Sequence, residues 1–224
     1  STRFSVAGLT EGRAAPKLEA FTESDMKQID FWFSIGSTYT YLTVMRLDDV
    51  AQDTGASFTW RPFNVREMMN AQNNIPFANK PAKAAYMWRD IERRCAKHGL
   101  TARLPAPYPL DNLALANQVA HIGMAEGWGQ VYVIETYRRW FQEGQMAGNE
   151  PNLSASLRAA GQDPDRVLPL AESRATVTAL AEATDEAARL GLFGVPSFVV
   201  AGELFWGDDR LDDAISWARE GRVV

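Results

Sequence analysis

The sequence predicts an α/β fold interrupted by a large, all-helical insertion, and three observations support this prediction. A strand–helix–strand pattern spans residues 29–62, and a helix–strand–strand–helix pattern spans residues 176–220. Between them, residues 65–174 show helical periodicity broken by prolines. The chain of 224 residues has room for one domain that carries such an insertion, and it is long enough to bury a substantial core.

The first unit begins with the aromatic segment Ile29 to Phe33, which is typical of a buried strand. From Tyr39, an apolar face with helical spacing predicts a helix that ends at Gly55, because glycine readily adopts the positive φ of a helix C-terminus. Residues 57–62 alternate with period two and end at a proline, which indicates a second strand. This order predicts a right-handed crossover between parallel strands.

The middle region is predicted to be helical. The spacing of its apolar residues predicts helices over residues 84–98, 113–125, 131–142 and 153–160, each followed by a glycine. The proline-rich residues 104–109 are expected to form a rigid extended linker.

The last unit begins with an alanine-rich helix over residues 176–190. Residues 197–200 and 203–206 predict two strands, and the two-residue gap between them predicts an antiparallel hairpin. A final helix is predicted to begin near Asp209, with Asp208 or Asp209 as its N-cap.

Removal of the helical block leaves the element order of a thioredoxin-like fold. We therefore predict a thioredoxin-like domain formed by residues 28–64 and 175–224, with residues 65–174 as the helical insertion. Residues 1–27 are interpreted as a polar N-terminal extension, since they contain no apolar run of the length found in a signal peptide.

The composition argues against several functional classes. The formal net charge of −5 argues against nucleic acid as a partner, because phosphate binding requires a basic face. Cys95, the single cysteine, cannot form a Cys-x-x-Cys pair, and we interpret it as structural. His98 and His121 lack metal-ligand spacing, and no stretch approaches the roughly 18 apolar residues of a membrane span. We therefore expect a cytoplasmic protein with no bound metal.

Three segments carry a resemblance to a known family. They are residues 31–42, FWFSIGSTYTYL; residues 74–86, which include Asn74 and Lys83; and residues 194–211, GVPSFVVAGELFWGDDRL. Over roughly residues 28–220, the chain resembles the 2-hydroxychromene-2-carboxylate isomerases. These are DsbA-like members of the thioredoxin superfamily, related to the kappa-class glutathione transferases.

The resemblance implies a glutathione-dependent isomerase that acts on an aromatic hydroxy-enoate, such as 2-hydroxychromene-2-carboxylate, in the catabolism of aromatic compounds. In the family's reaction, the glutathione thiolate adds reversibly to the conjugated system, which allows the double bond to rotate. Two alternatives stay open: a kappa-like glutathione transferase and a non-catalytic thioredoxin-like binding protein. The sequence does not fix the oligomeric state, and a homodimer is one option.

Ser37 is the catalytic candidate. It lies where a strand runs into a helix, and the positive end of a helix dipole at such a place favours a thiolate. A serine cannot be a redox nucleophile, but its hydroxyl can donate a hydrogen bond to the sulfur of a bound thiol. The resemblance implies that this thiol is glutathione; the simpler role for Ser37 is that of a helix N-cap. Thr38 departs from the family, which usually has proline there.

Further binding residues follow from the resemblance. The Val195–Pro196 bond is predicted to be cis, which would offer the Val195 backbone to a peptide-like ligand as an added strand would. Asn74 and Lys83 correspond to positions that bind glutathione's glycyl end and neighbouring backbone.

Two neighbouring aspartates are assigned to the other end of glutathione. Asp209 corresponds to the aspartate that binds the γ-glutamyl ammonium. Asp208 departs from the family, in which Gln, Asn or Ser stands at this position. We expect it either to point away from the ligand or to bind the ammonium beside Asp209.

The second, aromatic substrate needs a pocket of its own. Trp60, Arg61 and Tyr86 are assigned to it, although Trp60 is equally consistent with a place in the core.

Overall fold

The computed structural model describes residues 26–74, 77 and 79–224, so most of the predicted N-terminal extension lies outside the described residues. In chain order, the elements are β1 (Ile29–Phe33), α1 (Thr40–Val44), α2 (Leu47–Thr54), β2 (Phe58–Pro62), α3 (Val65–Ala71), α4 (Pro81–His98), α5 (Leu113–Glu126), α6 (Gly129–Glu143), α7 (Asn152–Ala159), α8 (Pro164–Ala171), α9 (Arg174–Arg189), β3 (Ser197–Val200), β4 (Glu203–Trp206) and α10 (Leu211–Glu220).

The four strands form one mixed sheet in the order β2-β1-β3-β4. β1 pairs in parallel with β2, where Phe31 lies opposite Trp60, and antiparallel with β3, where Phe31 lies opposite Phe198. β3 and β4 form the predicted hairpin through Ala201 and Gly202, both of which have positive φ. The two halves of the chain therefore share one sheet, and the predicted thioredoxin-like α/β fold is confirmed.

β1 supplies the core on both faces of the sheet, because its side chains alternate between the faces. Ile29, Phe31 and Phe33 are fully buried in a large cluster that includes residues of α1, α5 and α6. Trp32 belongs to a smaller cluster formed with residues of α3 and α9. Since helices cover both faces, the space for a ligand lies where β1 ends.

Two helices of the middle region, α3 and α8, were not among those predicted. α3 has seven residues and begins after Asn64, whose side chain accepts hydrogen bonds from the first-turn N–H groups; α8 has eight and begins after Asp163, which caps it similarly. Both are short, and neither is followed by the glycine that ends each predicted helix, including the equally short α7. The four predicted helices correspond to α4, α5, α6 and α7.

The proline-rich residues 104–109 differ from the continuous extended linker that the sequence predicts. Their Leu104–Pro105 and Tyr108–Pro109 bonds are both cis. The segment is fastened to α6, because the indole N–H of Trp140 donates to the carbonyl oxygen of Pro107 at 2.7 Å.

Two predictions about helices are wrong in part, and both differences involve Asp208. The helix after β1 is divided into α1 and α2 at Met45 and Arg46, where the Arg46 backbone departs from helical geometry and its guanidinium binds Asp208. Asp208 and Asp209 do not cap α10: they lie in a 3-10 turn, Asp208–Arg210, and α10 starts after Arg210 without a side-chain cap. The Asp208 carboxylate is engaged elsewhere.

Among the described helices, none has the length and apolar character needed to cross a membrane. The described part of the chain also contains no group of three or more His, Cys, Asp and Glu side chains placed to hold a metal ion.

Candidate active site at the end of the first strand

Buried polar side chains of α5 and α6 hold the turn between β1 and α1. The Asn117 amide accepts a hydrogen bond from the Ile35 N–H at 2.8 Å and donates one to the Ile35 carbonyl at 2.9 Å. The Tyr137 hydroxyl lies 3.0 and 3.1 Å from the carbonyl oxygens of Ser34 and Ser37. Burial raises the pKa of the Tyr137 phenol, which therefore stays protonated as a donor. The turn is thus fixed by the protein itself.

Gly36 allows this turn to approach α5 closely. Its φ of +134° is rarely adopted by residues with a side chain, and a Cβ at this position would collide with Leu113, the first residue of α5. The glycine therefore sets both the shape of the turn and its packing.

Ser37 joins this turn to the loop before β3. Its hydroxyl donates to the Val195 carbonyl oxygen at 3.1 Å and accepts a hydrogen bond from the Thr40 N–H at 3.4 Å. The Val195–Pro196 bond is cis, as predicted. Because α1 has only five residues, the helix dipole at Ser37 is weaker than the sequence-based argument assumes.

A cavity of about 360 Å³, here called the main cavity, opens at this junction. Ser37, Asn74, Lys83 and Val195 all line it, so the structure brings together four of the predicted site residues. Ile75 and Pro76, which belong to the same quoted segment as Asn74, lie outside the described residues. Much of the remaining wall is apolar or aromatic: Val65, Met69, Phe77, Tyr108, Pro109, Leu113, Phe193 and Trp206.

A second cavity of about 300 Å³, here called the side cavity, adjoins the main cavity. The two share Tyr39, Val195 and Trp206 in their walls. The charged residues of the side cavity are Asp90, Arg94, Asp208 and Asp209. The main cavity and the side cavity therefore lie next to each other at Val195.

Asp208 is buried at the centre of an ion-pair cluster. Arg46 Nη2 lies 2.8 Å from Oδ1, and Arg94 binds Oδ2 through Nε at 2.9 Å and through Nη2. The Thr43 hydroxyl also donates to Oδ1, at 3.1 Å. Burial alone would lower the pKa of Arg94, but the hydrogen bonds and the charge of Asp208 outweigh it and raise that pKa. The oxygens of Asp208 are thus engaged within the protein, although the residue lines the side cavity.

The other two carboxylates of the side cavity differ in their surroundings. The Tyr39 hydroxyl donates to Asp90 Oδ2 at 3.0 Å, and burial together with Asp90 raises the pKa of Tyr39. Asp209 is half exposed, and in the described part of the chain its one ion pair is a 3.4 Å contact with Arg210. Asp209 therefore keeps a carboxylate that is accessible to a ligand.

The three residues assigned to the aromatic-substrate pocket lie elsewhere. Trp60 is buried among the core aromatics, since the alternation of β2 turns it inward. Arg61 points to the opposite face of the sheet and forms a 3.2 Å ion pair with Asp30. Tyr86 is 62% exposed on α4. None of the three is among the described residues that line the main cavity.

Several residues at the site were missed from the sequence. Tyr39 and Trp206 lie within the quoted segments but received no role, and the two arginines that bind Asp208 carried no local signal. Asn117 could have been found, because its spacing places it on the apolar face of α5 with Leu113 and Ala120, where a polar residue is usually a buried hydrogen-bonding group. Cys95 is buried, as its structural interpretation requires.

Known proteins show the same architecture. The family model of the DSBA-like thioredoxin domain matches residues 28–215. A 2-hydroxychromene-2-carboxylate isomerase from Sphingobium xenophagum is 29% identical over 188 residues, which cover 83% of this chain and 95% of that relative. A protein of the same name from Pseudomonas putida is 26% identical and covers 82% of this chain and 90% of its own.

A solved structure agrees with these relatives. That of a selenomethionine-labelled 2-hydroxychromene-2-carboxylate isomerase matches with a TM-score of 0.74 at 25% identity, covering 82% of this chain and 90% of that one. These matches confirm the predicted resemblance and, with it, the prediction of an isomerase-like enzyme. Since the family model spans most of its length, the chain belongs to the family of DSBA-like thioredoxin domains.

Proposed function

We propose that this protein is a glutathione-dependent isomerase that acts on an aromatic hydroxy-enoate, such as 2-hydroxychromene-2-carboxylate, by reversible thiolate addition. The observation that carries the proposal is the 3.1 Å hydrogen bond between Ser37 and Val195, where the main cavity meets the side cavity. At this junction the Ser37 hydroxyl, which cannot undergo thiol redox chemistry, contacts the backbone before a cis-proline. The names of the curated relatives support the reaction class.

The residues of the two cavities fit glutathione, a tripeptide with a zwitterionic γ-glutamyl end, a central thiol and a glycyl carboxylate. In the side cavity, Asp209 suits the ammonium and Arg94 the γ-glutamyl carboxylate. The Val195 N–H has no hydrogen-bond partner among the described residues, so it is available to an extended peptide. In the main cavity, Lys83 and Asn74 suit the glycyl end.

Ser37 would hold the sulfur. Glutathione, when bound, supplies a thiolate that adds to the conjugated double bond of the substrate, which becomes single, rotates and re-forms as the thiolate leaves. The Ser37 hydroxyl hydrogen can rotate from the Val195 oxygen towards the sulfur, where a donor favours the charged form and lowers the pKa of the thiol. The Val195 oxygen can then accept an amide N–H of the ligand instead. When the Val195 oxygen accepts a hydrogen bond from the ligand instead, the Ser37 hydroxyl is free to bind the sulfur.

The apolar wall suits the second substrate. Met69, Tyr108 and Leu113 offer a surface for a flat aromatic ring and exclude water around it. Because glutathione maintains reduced thiols in the cytosol, we place the proposed reaction in the cytoplasm.

The test is isomerisation of 2-hydroxychromene-2-carboxylate with and without glutathione, together with calorimetric titration of glutathione. We expect thiol-dependent turnover and a Kd between about 1 μM and 1 mM. S-Methylglutathione should bind without supporting turnover, since its sulfur is blocked. Turnover without thiol, or no binding at about 10 mM, would contradict the proposal. Conjugation of chloro-nitrobenzene acceptors without isomerisation would favour the transferase alternative.

A further inference from the structure

One cation of the main cavity has no role in the proposed function. Among the described residues that line this cavity, the charged side chains are Arg66 and Lys83, and none is a carboxylate. Lys83 is assigned to the glycyl end of glutathione. A second cation in a largely apolar cavity indicates a second anionic group on whatever fills the space.

Arg66 is held so that most of its guanidinium stays available. It is the second residue of α3, and its backbone N–H donates to the capping side chain of Asn64 at 3.2 Å. Its Nη2 donates to the carbonyl oxygen of Leu110 at 2.7 Å. A guanidinium carries five N–H donors in a planar fork, so this bond leaves others for a ligand.

No described acidic side chain neutralises Arg66. The adjacent carboxylate, that of Glu67, accepts a hydrogen bond from the Asn64 side-chain amide at 2.9 Å instead. No ion pair joins Arg66 to any acidic residue in the described part of the chain. The charge is therefore free to meet an anion from solution.

The surroundings of Arg66 suit an aromatic acid. Leu110, which accepts its hydrogen bond, lies two residues after Tyr108 and three before Leu113, both of which line the main cavity. The charge of Arg66 reaches the Tyr108 phenol, whose pKa is raised by burial and lowered in part by Arg66. Lys83, by contrast, lies on α4 with its ammonium 5.7 Å from the Phe77 ring centre.

We propose that Arg66 binds the carboxylate of the aromatic substrate and makes the enzyme selective for aromatic acids over their neutral counterparts. This inference rests on the proposed function for the identity of the reaction. A guanidinium beside an aromatic wall matches a planar carboxylate attached to a ring system, because the fork binds both carboxylate oxygens.

The kinetic test compares 2-hydroxychromene-2-carboxylate with its primary amide, which is of similar shape but neutral. In the wild type, we expect the acid to have the higher kcat/KM, by about 10- to 100-fold, the range of one charge-assisted hydrogen bond. In Arg66→Met, this preference should disappear through a higher KM for the acid, while its kcat changes by less than about threefold. Arg66→Lys should retain part of the preference.

Two outcomes would show that Arg66 does not recognise the substrate carboxylate. If Arg66→Met weakens the acid and the amide equally, Arg66 acts through the Leu110 carbonyl and the proposal is overturned. A loss of glutathione affinity with an unchanged preference would also overturn it. Arg103→Met, which removes a positive charge just before the proline-rich segment and outside the main cavity, is the matched control and should change neither value.

A thiol-free titration keeps this inference separate from the proposed function. The probes are coumarin-3-carboxylate and its carboxamide, added without glutathione to the wild type and to Arg66→Met. Tighter binding of the carboxylate by the wild type, lost in the variant, supports Arg66 as the anchor even if the enzyme shows no thiol-dependent turnover. Equal binding of both probes by the wild type rejects it, whatever the turnover shows.

Discussion

The hydroxyl of Ser37 donates to the carbonyl oxygen of Val195 across 3.1 Å, although the two residues are 158 positions apart in the chain. The same hydroxyl accepts a longer, 3.4 Å hydrogen bond from the first residue of α1. The N-cap position of α1 is Tyr39, so Ser37 lies two residues before it and only its 3.4 Å contact serves the helix end. A serine with that role alone would not need the contact with Val195. The two contacts can be separated by experiment.

Ser37→Ala should lower thiol-dependent turnover by about 100-fold, which corresponds to about 2.7 kcal/mol, a usual size for one preorganised donor. Its stability should fall by only about 1 kcal/mol, the cost of a lost cap. Initial rates and urea unfolding measure the two effects. Ser173→Ala, which removes the cap of α9 away from both cavities, is the control: it should lose similar stability and keep full activity. Full activity in Ser37→Ala would leave Ser37 as a cap alone.

Gly36→Ala should destabilise the fold more than Gly161→Ala, although both glycines have positive φ. At Gly161, a Cβ meets no atom within 4 Å, so only backbone strain of about 1–2 kcal/mol is added. At Gly36, the Cβ would also collide with Leu113, and such overpacking costs about 1–3 kcal/mol more. Urea unfolding of the two variants gives the difference, and equal losses would show that the turn relaxes around the methyl group.

Asp208→Asn should lower stability without tightening glutathione binding. The substitution leaves Arg46 and Arg94 without their shared carboxylate. Breaking a buried ion pair costs about 3 kcal/mol, and the loss here should not exceed that value because both arginines keep some contact with water. Urea unfolding and calorimetric titration test both parts. A variant that binds glutathione tenfold more tightly would show that Asp208 repels the γ-glutamyl carboxylate.

Asp209→Asn should leave stability almost unchanged but weaken glutathione binding, because Asp209 is exposed and loosely paired. We expect stability to change by less than about 0.5 kcal/mol and glutathione affinity to fall by about five- to tenfold. An analogue of glutathione without the amino group should bind the wild type and the variant equally, since it lacks the ammonium that Asp209 would meet. Unequal binding of this analogue would count against an ammonium site.

Cys95 should be unreactive in the folded protein. Burial, with a contribution from the charge of Asp208, raises the pKa of its thiol to about 11, so at pH 8 only about one thiol in a thousand is ionised. Alkylation by iodoacetamide should be more than about 100-fold slower in native than in urea-unfolded protein. Because the thiolate increases as pH rises towards this pKa, the native rate should rise about tenfold per pH unit from pH 7 to 9 without a plateau. Cys95→Ala should retain turnover.

The strands and the long helices could be predicted because each carries its own periodic pattern. Three of the five residues of β1 are aromatic, and α5 and α6 repeat apolar residues over several turns. α3 and α8 are short, begin at the caps Asn64 and Asp163, and end without a glycine. Short elements could therefore be predicted only where a turn residue marked their end, as Gly161 does for α7.

The site was predictable where the resemblance supplied residues and not where side chains meet across the fold. Ser37, Lys83 and Val195 do line one cavity. At the division between α1 and α2, Arg46 binds a carboxylate 162 residues away, that of Asp208, and no local propensity encodes such a contact. Trp60 was assigned to the substrate pocket but is buried in the core, which is the more common place for a large aromatic residue.

The ion pairs of Asp208 also set when the site can form as the chain is made. Its partners Arg46 and Arg94 precede it by 162 and 114 residues, so both must wait until residue 208 has left the ribosome. Closing loops of this length is slow because each costs chain entropy before any contact forms. A chain that ends before residue 195 carries Ser37 but neither Val195 nor Asp208, so it lacks two residues that line the cavities at this site.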